Sequence, residues 1–173
     1  MQEVEILVTK CRDTAVIPAY ARPGDAGMDV CAAVEMDIRP GETAAVPTGL
    51  KVAIPEGYEL QVRPRSGISL NTPLRITNSP GTIDSGFRDE VRIIISNTAR
   101  FSKPDDREYA CDAGEALSVS AKGNQEGTYR IMPGDRIAQF VLQKVPVIKW
   151  NEVPSLDGVG NDRKGGFGST GTD

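Results

Sequence analysis

The chain has 173 residues and carries 24 acidic against 20 basic side chains, which gives a net charge of −4 at neutral pH. That length favours a single domain, and that charge disfavours a general nucleic-acid-binding protein, which needs a broad basic face. Histidine is absent, so Ser-His-Asp and Cys-His catalytic groups and His-based zinc sites are excluded. A carboxylate is therefore the expected base for any proton transfer near neutral pH.

The cysteines and the N-terminal residues indicate the cellular compartment of the protein. Cys11, Cys31 and Cys111 show no metal-ligand spacing, which predicts free thiols in a reducing environment. The first residues lack the basic and apolar regions of a signal peptide, and no run approaches the roughly 20 apolar residues of a membrane span. These features predict a soluble, cytoplasmic protein without membrane association.

Short strands separated by turns are predicted along most of the chain. Alternating apolar residues, β-branched runs and an abundance of Gly and Pro (18 and 12 residues) support this prediction. In chain order, the predicted strands are residues 4–9, 28–33, 50–54, 58–62, 74–78, 90–97, 129–132 and 135–145. No window has a helical apolar stripe. The predicted fold class is all-β, as a barrel, sandwich or jelly roll.

Two segments differ from this pattern. Residues 98–128 are polar and charged, and residues 158–173 are rich in Gly with almost no apolar side chain. A segment so poor in apolar residues cannot fold by burial, so its order must come from a ligand or another subunit. We therefore predict one β domain, residues 1–157, with an extra polar insertion at 98–128, and a mobile C-terminal arm at 158–173.

Five short motifs contain the residues that could carry chemistry. In chain order they are residues 26–29 (AGMD), 65–67 (RSG), 78–88 (NSPGTIDSGFR), 134–139 (GDRIAQ) and 165–171 (GGFGSTG). An Arg with free backbone N–H groups after a strand suits an anion. The third motif contains a tight turn, and the last combines backbone freedom, hydroxyls and an aromatic ring. Taken singly, each also fits an ordinary turn, strand end or flexible terminus.

Together and in this order, the motifs resemble those of trimeric dUTP diphosphatase (dUTPase). The resemblance covers most of the chain outside residues 98–128. It implies a jelly-roll-like β-barrel or sandwich subunit with a flexible Gly-rich C-terminal arm, assembled as a homotrimer with active sites at subunit interfaces. The implied reaction is hydrolysis of dUTP to dUMP and pyrophosphate, which lowers dUTP and supplies dUMP for dTMP synthesis.

The resemblance also implies roles for individual residues. Asp84 would activate the water that attacks the α-phosphorus, which agrees with the absence of histidine. Mg²⁺ would be held mainly by the triphosphate, with Asp29 linked to it through water. The implied substrate-binding residues are Arg65, Ser66, Gly67 and Gln139 at the phosphates, Asn78, Gly81, Thr82 and Ile83 at the uracil edge, Phe87 against deoxyribose, Arg92 facing the substrate, and Arg163, Phe167, Gly168, Ser169 and Thr170 in the arm.

Four features depart from the family pattern. Phe87 replaces the usual Tyr, and Asp89 stands where Gly is common. Arg163 is one residue nearer to Phe167 than the family's Arg, and the connection at 98–128 is longer by about two dozen residues. A ring face is what packing against a sugar uses, so we expect the preference for deoxyribose to remain despite Phe87.

Two other functions stay open at this stage. dCTP deaminase shares the fold, although no matching glutamate motif is found and the motif at 165–171 favours the diphosphatase. A nucleotide-gated regulatory module, with a protein partner at 98–128, is the alternative from another class. A surface hairpin without function is the simpler interpretation of that segment.

Overall fold

The computed structural model describes residues 3–100 and 116–161. Within these ranges the chain forms twelve short strands and one helix, so the prediction of an all-β fold is confirmed. The strands are β1 Leu7–Lys10, β2 Met28–Cys31, β3 Met36–Ile38, β4 Thr43–Pro47, β5 Leu50–Ala53, β6 Tyr58–Arg63, β7 Leu74–Ile76, β8 Gly81–Ile83, β9 Arg92–Asn97, β10 Leu117–Ser118, β11 Tyr129–Ile131 and β12 Arg136–Lys144. The helix, α1, spans Ser66–Asn71, and no helix in the described ranges could cross a bilayer.

The strands form small sheets around one apolar core. The largest sheet has the order β2-β12-β6-β8, and the others are β4-β9-β7, β10-β11-β3 and the pair β1-β5. Only the β10–β11 pair among these is parallel. The core consists mainly of branched aliphatic side chains, with Phe140 and Tyr129 as its largest fully buried members. Burial of this apolar surface stabilises a chain with few aromatic residues.

Strand β6 shows how alternation produces a core face and a functional face. Leu60 and Val62 are buried, because successive side chains of a strand point to opposite sides of the sheet. On the other side, Gln61 Nε2 donates to Glu59 Oε1 at 2.6 Å, and Arg63 Nη2 donates to Gln61 Oε1 at 2.7 Å. The outer face of the largest sheet therefore carries a hydrogen-bonded polar row along its centre.

The polar segment 98–128 is tied to the core at both of its ends. The buried carboxamide of Asn97 donates to Ile38 O at 3.0 Å and to Gly127 O at 2.8 Å. Val119 is 7% exposed, and β10 pairs with β11. Leu117 and Ala121 pack against the core beside Val119, and the predicted bounds of the insertion stay a prediction. Residues 101–115 lie outside the described part of the chain.

A half-buried carboxylate fixes the loop that follows the third motif. Glu90 has a side chain that is 10% exposed, and it accepts hydrogen bonds from Arg12 Nε at 2.5 Å, Arg12 Nη2 at 3.0 Å and Gly49 N at 3.0 Å. The hydrogen bonds from Arg12 hold the pKa of Glu90 below its usual range. Because this pKa is lower in the folded chain, the contribution to stability is present at neutral pH and is lost as pH falls through the folded value.

Candidate active site

Two arginines meet one carboxylate at the end of the first motif. Asp29, on β2, accepts from Arg65 Nε at 2.7 Å, from Arg65 Nη2 at 3.3 Å and from Arg136 Nη1 at 3.2 Å. The Arg65 side chain is 26% exposed and that of Arg136 is 61% exposed. A guanidinium pair that shares one negative charge retains net positive charge, so this cluster suits a phosphate.

Gln139 lies beside this cluster and is held from two sides. It is opposite Asp29 on β2 and opposite Arg63 on β6 in the strand register. Its Nε2 donates to Pro64 O at 2.8 Å. A Cβ on Gly27 would lie 2.5 Å from Gln139 Oε1, so a larger residue there would force the carboxamide to move. The first, second and fourth motifs therefore meet at one place, with Gln139 in a fixed orientation.

Helix α1 begins directly after Arg65 and adds backbone donors. Its first hydrogen bond runs from Ser69 N to Arg65 O at 3.0 Å. The N–H groups of the three preceding residues therefore lie outside the helical ladder. A Cβ on Gly67 would meet nothing within 4 Å, so the chain's own packing does not require glycine there. The open space beside Gly67 is available to a ligand.

This open space leads to a prediction for Gly67→Ala. We expect kcat/KM for dUTP, the substrate that the resemblance implies, to fall roughly 10- to 100-fold, because a methyl group would displace a phosphate from the backbone N–H groups. The melting temperature should stay the same or rise slightly, because Ala is favoured over Gly within a helix. Leu70→Ala, at an exposed position of the same helix, is the matched control. Unchanged kinetics of Gly67→Ala would show that no substrate atom uses this space.

The third motif forms a second cluster around β8, an edge strand of the largest sheet. Asn78, Asp84 and Phe87 are exposed, whereas the Ile83 side chain is 7% exposed and faces the core. A Cβ on Gly81 would approach Asn78 Nδ2 to 3.1 Å, so glycine lets the carboxamide lie against the strand. An edge strand has unpaired N–H and C=O groups. This cluster can therefore bind a planar polar ligand through its backbone and the Asn78 side chain.

The two clusters are far apart within one chain. Asp29, Gln139 and Arg63 lie side by side on successive strands, and the β6–β8 register sets Leu60 opposite Ile83 and Val62 opposite Gly81. Asp84 is thus three strand spacings across the sheet and four residues along the strand direction from Asp29. In a flat sheet this separation is about 19 Å between the two Cα atoms. Both carboxylates lie on the same face, yet a single chain does not bring them to one phosphorus atom.

Arg92 is found at a third place, at the start of β9. Its Nη2 lies 3.7 Å from Glu90 Oε2. Together with Arg12, Lys51 and Asp89 it lines a cavity of about 480 Å³. Asp89, the residue that departs from the family's Gly, therefore adds a carboxylate to a pocket that contains three cations. Within one chain, Arg92 belongs to neither of the two clusters.

Comparison with known proteins decides the family. A family model described as dUTPase matches residues 13–103. The chain is 39% identical to the deoxyuridine 5'-triphosphate nucleotidohydrolase of Streptomyces coelicolor over 97% of this chain and 78% of the relative. It is 38% identical to that of Wolinella succinogenes over 99% of this chain and 97% of the relative. The chain belongs to the dUTPase family. It is an enzyme of the class that hydrolyses dUTP.

Solved dUTPase structures confirm the predicted jelly-roll fold. The dUTPase of Staphylococcus bacteriophage 80alpha with dUPNHPP has a TM-score of 0.83 at 30% identity and covers 97% of this chain and 99% of its own. A point mutant of the dUTPase from phage phi11 of S. aureus, described with a structural Mg(II) ion, has a TM-score of 0.73 at 28% identity and covers 88% and 98%. The fold expected from the dUTPase resemblance is therefore the fold observed.

Arg136 is a residue of this dUTPase that motif reading missed. It lies inside the fourth motif. A basic residue on the same strand as Gln139 could have been predicted as a further phosphate-binding residue. Its contact with Asp29 becomes visible only when β12 pairs with β2. The arm residues Arg163, Phe167, Gly168, Ser169 and Thr170 lie outside the described residues, so their part in substrate binding stays a prediction.

Proposed function

We propose that the chain hydrolyses dUTP to dUMP and pyrophosphate by attack of water on the α-phosphorus, with Asp84 as the base. The observation that carries the proposal is the pair of clusters on one sheet face. One has the charge and donors for phosphates, and the other has an edge strand for a base and an exposed carboxylate. The split between them indicates that a complete site uses more than one copy of the chain.

Asp84 suits the role of base because its carboxylate is exposed and forms no ion pair with another described residue. Asp29 is different, because three hydrogen bonds from guanidinium groups occupy its oxygens. Glu90 is likewise engaged by Arg12 and Gly49. A carboxylate that polarises water must have a free lone pair within hydrogen-bond reach of that water. Asp84 offers one.

The cluster of Asp29, Arg65 and Arg136, called the phosphate cluster below, would stabilise the negative charge that builds on the phosphoryl oxygens. Arg65 is held in place by Asp29, so its guanidinium is oriented before the substrate arrives. The N–H groups around Ser66 and Gly67 and the carboxamide of Gln139 would add donors at the same place. Preorganised donors of this kind contribute most when charge develops on oxygen in the transition state.

A magnesium ion fits this site when the substrate carries it. The described residues contain no group of three or more potential metal-ligating side chains. A carboxylate has about four lone-pair sites, and the guanidinium groups occupy three on Asp29, which leaves one for a metal-bound water. Mg²⁺ would be held mainly by the triphosphate oxygens. When bound there, it neutralises phosphate charge.

The edge strand would recognise the base and Phe87 the sugar. The Ile83 side chain is buried, so Ile83 can pair with the uracil edge only through its backbone. Gly81, Thr82 and Asn78 would pair with the same edge. A close backbone fit excludes the thymine methyl group and mismatches the cytosine amino group. The ring of Phe87 is 37% exposed beside this strand. It offers a face for deoxyribose.

The segment after β12 supports an assembly of copies. Exposed apolar side chains follow one another there: Val147 is 95% exposed, Ile148 68%, Trp150 87%, Leu156 72% and Val159 66%. A run of this size on a soluble protein marks a contact surface. A homotrimer, as the resemblance implies, would cover it and would place the cluster around β8 of one copy beside the phosphate cluster of another.

The function is tested by incubating the purified protein with dUTP and with each of the four common deoxynucleoside triphosphates, with and without Mg²⁺. We expect release of dUMP and pyrophosphate from dUTP alone, at a higher rate with Mg²⁺. Conversion of dCTP with release of ammonia would instead identify a deaminase. Absence of pyrophosphate release from dUTP would contradict the proposal.

Phe87→Ala tests the selection of the sugar. Removal of the ring should open space beside C2′, so activity on UTP should rise relative to activity on dUTP. The measurement is the ratio of kcat/KM for the two substrates, with Phe87→Tyr as the control that retains a ring face. An unchanged ratio in Phe87→Ala would place the discrimination elsewhere.

A further inference from the structure

A cavity of about 410 Å³ adjoins the phosphate cluster and has a wall that the five motifs do not supply. Arg65, Gly67 and Arg136 line one side. Ser120 and Lys122, from the turn between β10 and β11, line the other. Gln139 is not among the lining residues. The cavity thus extends the phosphate cluster toward the turn between β10 and β11 without reaching Gln139, which the dUTPase resemblance places near the α-phosphate.

The turn that carries Lys122 is fixed at several points. Val119 is buried in the core beside it. Asn124 N donates to Asn71 O at 2.8 Å, which ties the turn to the end of α1, and Gln125 Nε2 donates to Lys122 O at 3.0 Å. Gly123 has a φ of +84°, a backbone conformation in which glycine is unstrained. The backbone of Lys122 is therefore positioned before any ligand binds.

The charges on the cavity wall favour an anion. Arg65, Arg136 and Lys122 are cations, whereas Asp135 is the one carboxylate among the lining residues, and its Oδ2 accepts Met132 N at 2.8 Å. Asp29 offsets part of the charge of the two arginines. Lys122 is exposed and forms no ion pair within the described ranges. Its ammonium group is available for phosphate oxygens.

We propose that Lys122 is a further binding residue for the outer phosphates of the nucleotide and for the pyrophosphate product. This inference rests on the proposed function, since it takes the cluster of Arg65 and Gly67 as the phosphate site. The segment between β9 and β11 then contributes to the active site through its C-terminal end. The ammonium group of Lys122 binds the β- and γ-phosphates, whereas other residues bind the base and the α-phosphate.

The test compares Lys122→Ala with Lys122→Arg and with Lys10→Ala, a matched loss of an exposed lysine on β1. We expect Lys122→Ala to raise the KM for dUTP and the inhibition constant of pyrophosphate by about 5- to 30-fold, because a charge-assisted hydrogen bond is lost. The dissociation constant of dUMP, which lacks the outer phosphates, should stay unchanged. Lys122→Arg should retain affinity close to the wild type, and Lys10→Ala should behave as the wild type.

The possible results separate the two proposals. Unchanged values of both constants in Lys122→Ala would overturn the role of Lys122, while dUTP hydrolysis by the wild type would leave the proposed function standing. An equal loss of dUMP affinity would also overturn it, because the effect would then not concern the outer phosphates. A wild-type protein that releases no pyrophosphate from dUTP would contradict the proposed function itself.

Discussion

Asp84→Asn should lower kcat for dUTP by roughly two orders of magnitude or more, because the substitution removes the proposed base and keeps the size of the side chain. Asp84 is exposed and forms no ion pair with another described residue, so the change should not affect folding. The dissociation constant of the non-hydrolysable analogue dUpNHpp should remain close to that of the wild type. Single-turnover and steady-state kinetics would measure the loss.

The control for this variant is Asp13→Asn, an exposed carboxylate outside both clusters. It should retain full activity. Near-normal turnover in Asp84→Asn would show that another group activates the water. A loss of analogue binding equal to the loss of kcat would indicate that Asp84 positions the nucleotide and does not act as the base.

Mixed assemblies of two inactive variants should recover activity. Arg65→Ala removes the central cation of the proposed phosphate site, and Asp84→Asn removes the proposed base, so each variant alone should be severely impaired. The two residues lie on separate clusters of one chain. If each site of a trimer takes one cluster from each of two neighbouring copies, every trimer that contains both variants has one intact site among its three. Co-expression with two different tags, followed by purification of the mixed species, provides the sample.

The expected recovery is therefore about a third of the wild-type kcat per subunit. Separately purified variants combined just before the assay, without time for exchange of subunits, are the control and should remain impaired. Mixed species without activity would show that both residues act from the same chain. That result would contradict a shared site but would leave the individual roles of Asp84 and Arg65 open to the single variants.

Much of the fold follows from patterns in the sequence. The alternation of apolar residues predicted the strands that became β5, β6, β9 and β12, since one face of each strand packs on the core. Strands β3, β4, β8 and β10 were not predicted. Three of them have two or three residues, and β4 contains two alanines, which are weak strand formers. These strands form because their neighbours offer hydrogen-bonding edges.

Some residues of the candidate site could be predicted from the sequence, but their arrangement could not. The motifs indicated Asp29, Arg65 and Gln139, and the structure brings these three together. The separation of Asp84 from them depends on the order of strands in the sheet, which a local pattern does not contain. The sequence does not predict the position of Lys122 for a related reason. Its turn lies near the phosphate cluster because Val119 packs in the core and Asn124 contacts Asn71.

The exposed segment after β12 also provides an optical signal. Trp150 is the only tryptophan of the chain, and 87% of its surface is exposed within one copy. Indole in contact with water emits at longer wavelengths than indole in an apolar contact. If the proposed assembly covers this segment, the emission of Trp150 will shift to shorter wavelengths when copies associate. A dilution series read at this emission, without a label, would then report when copies separate.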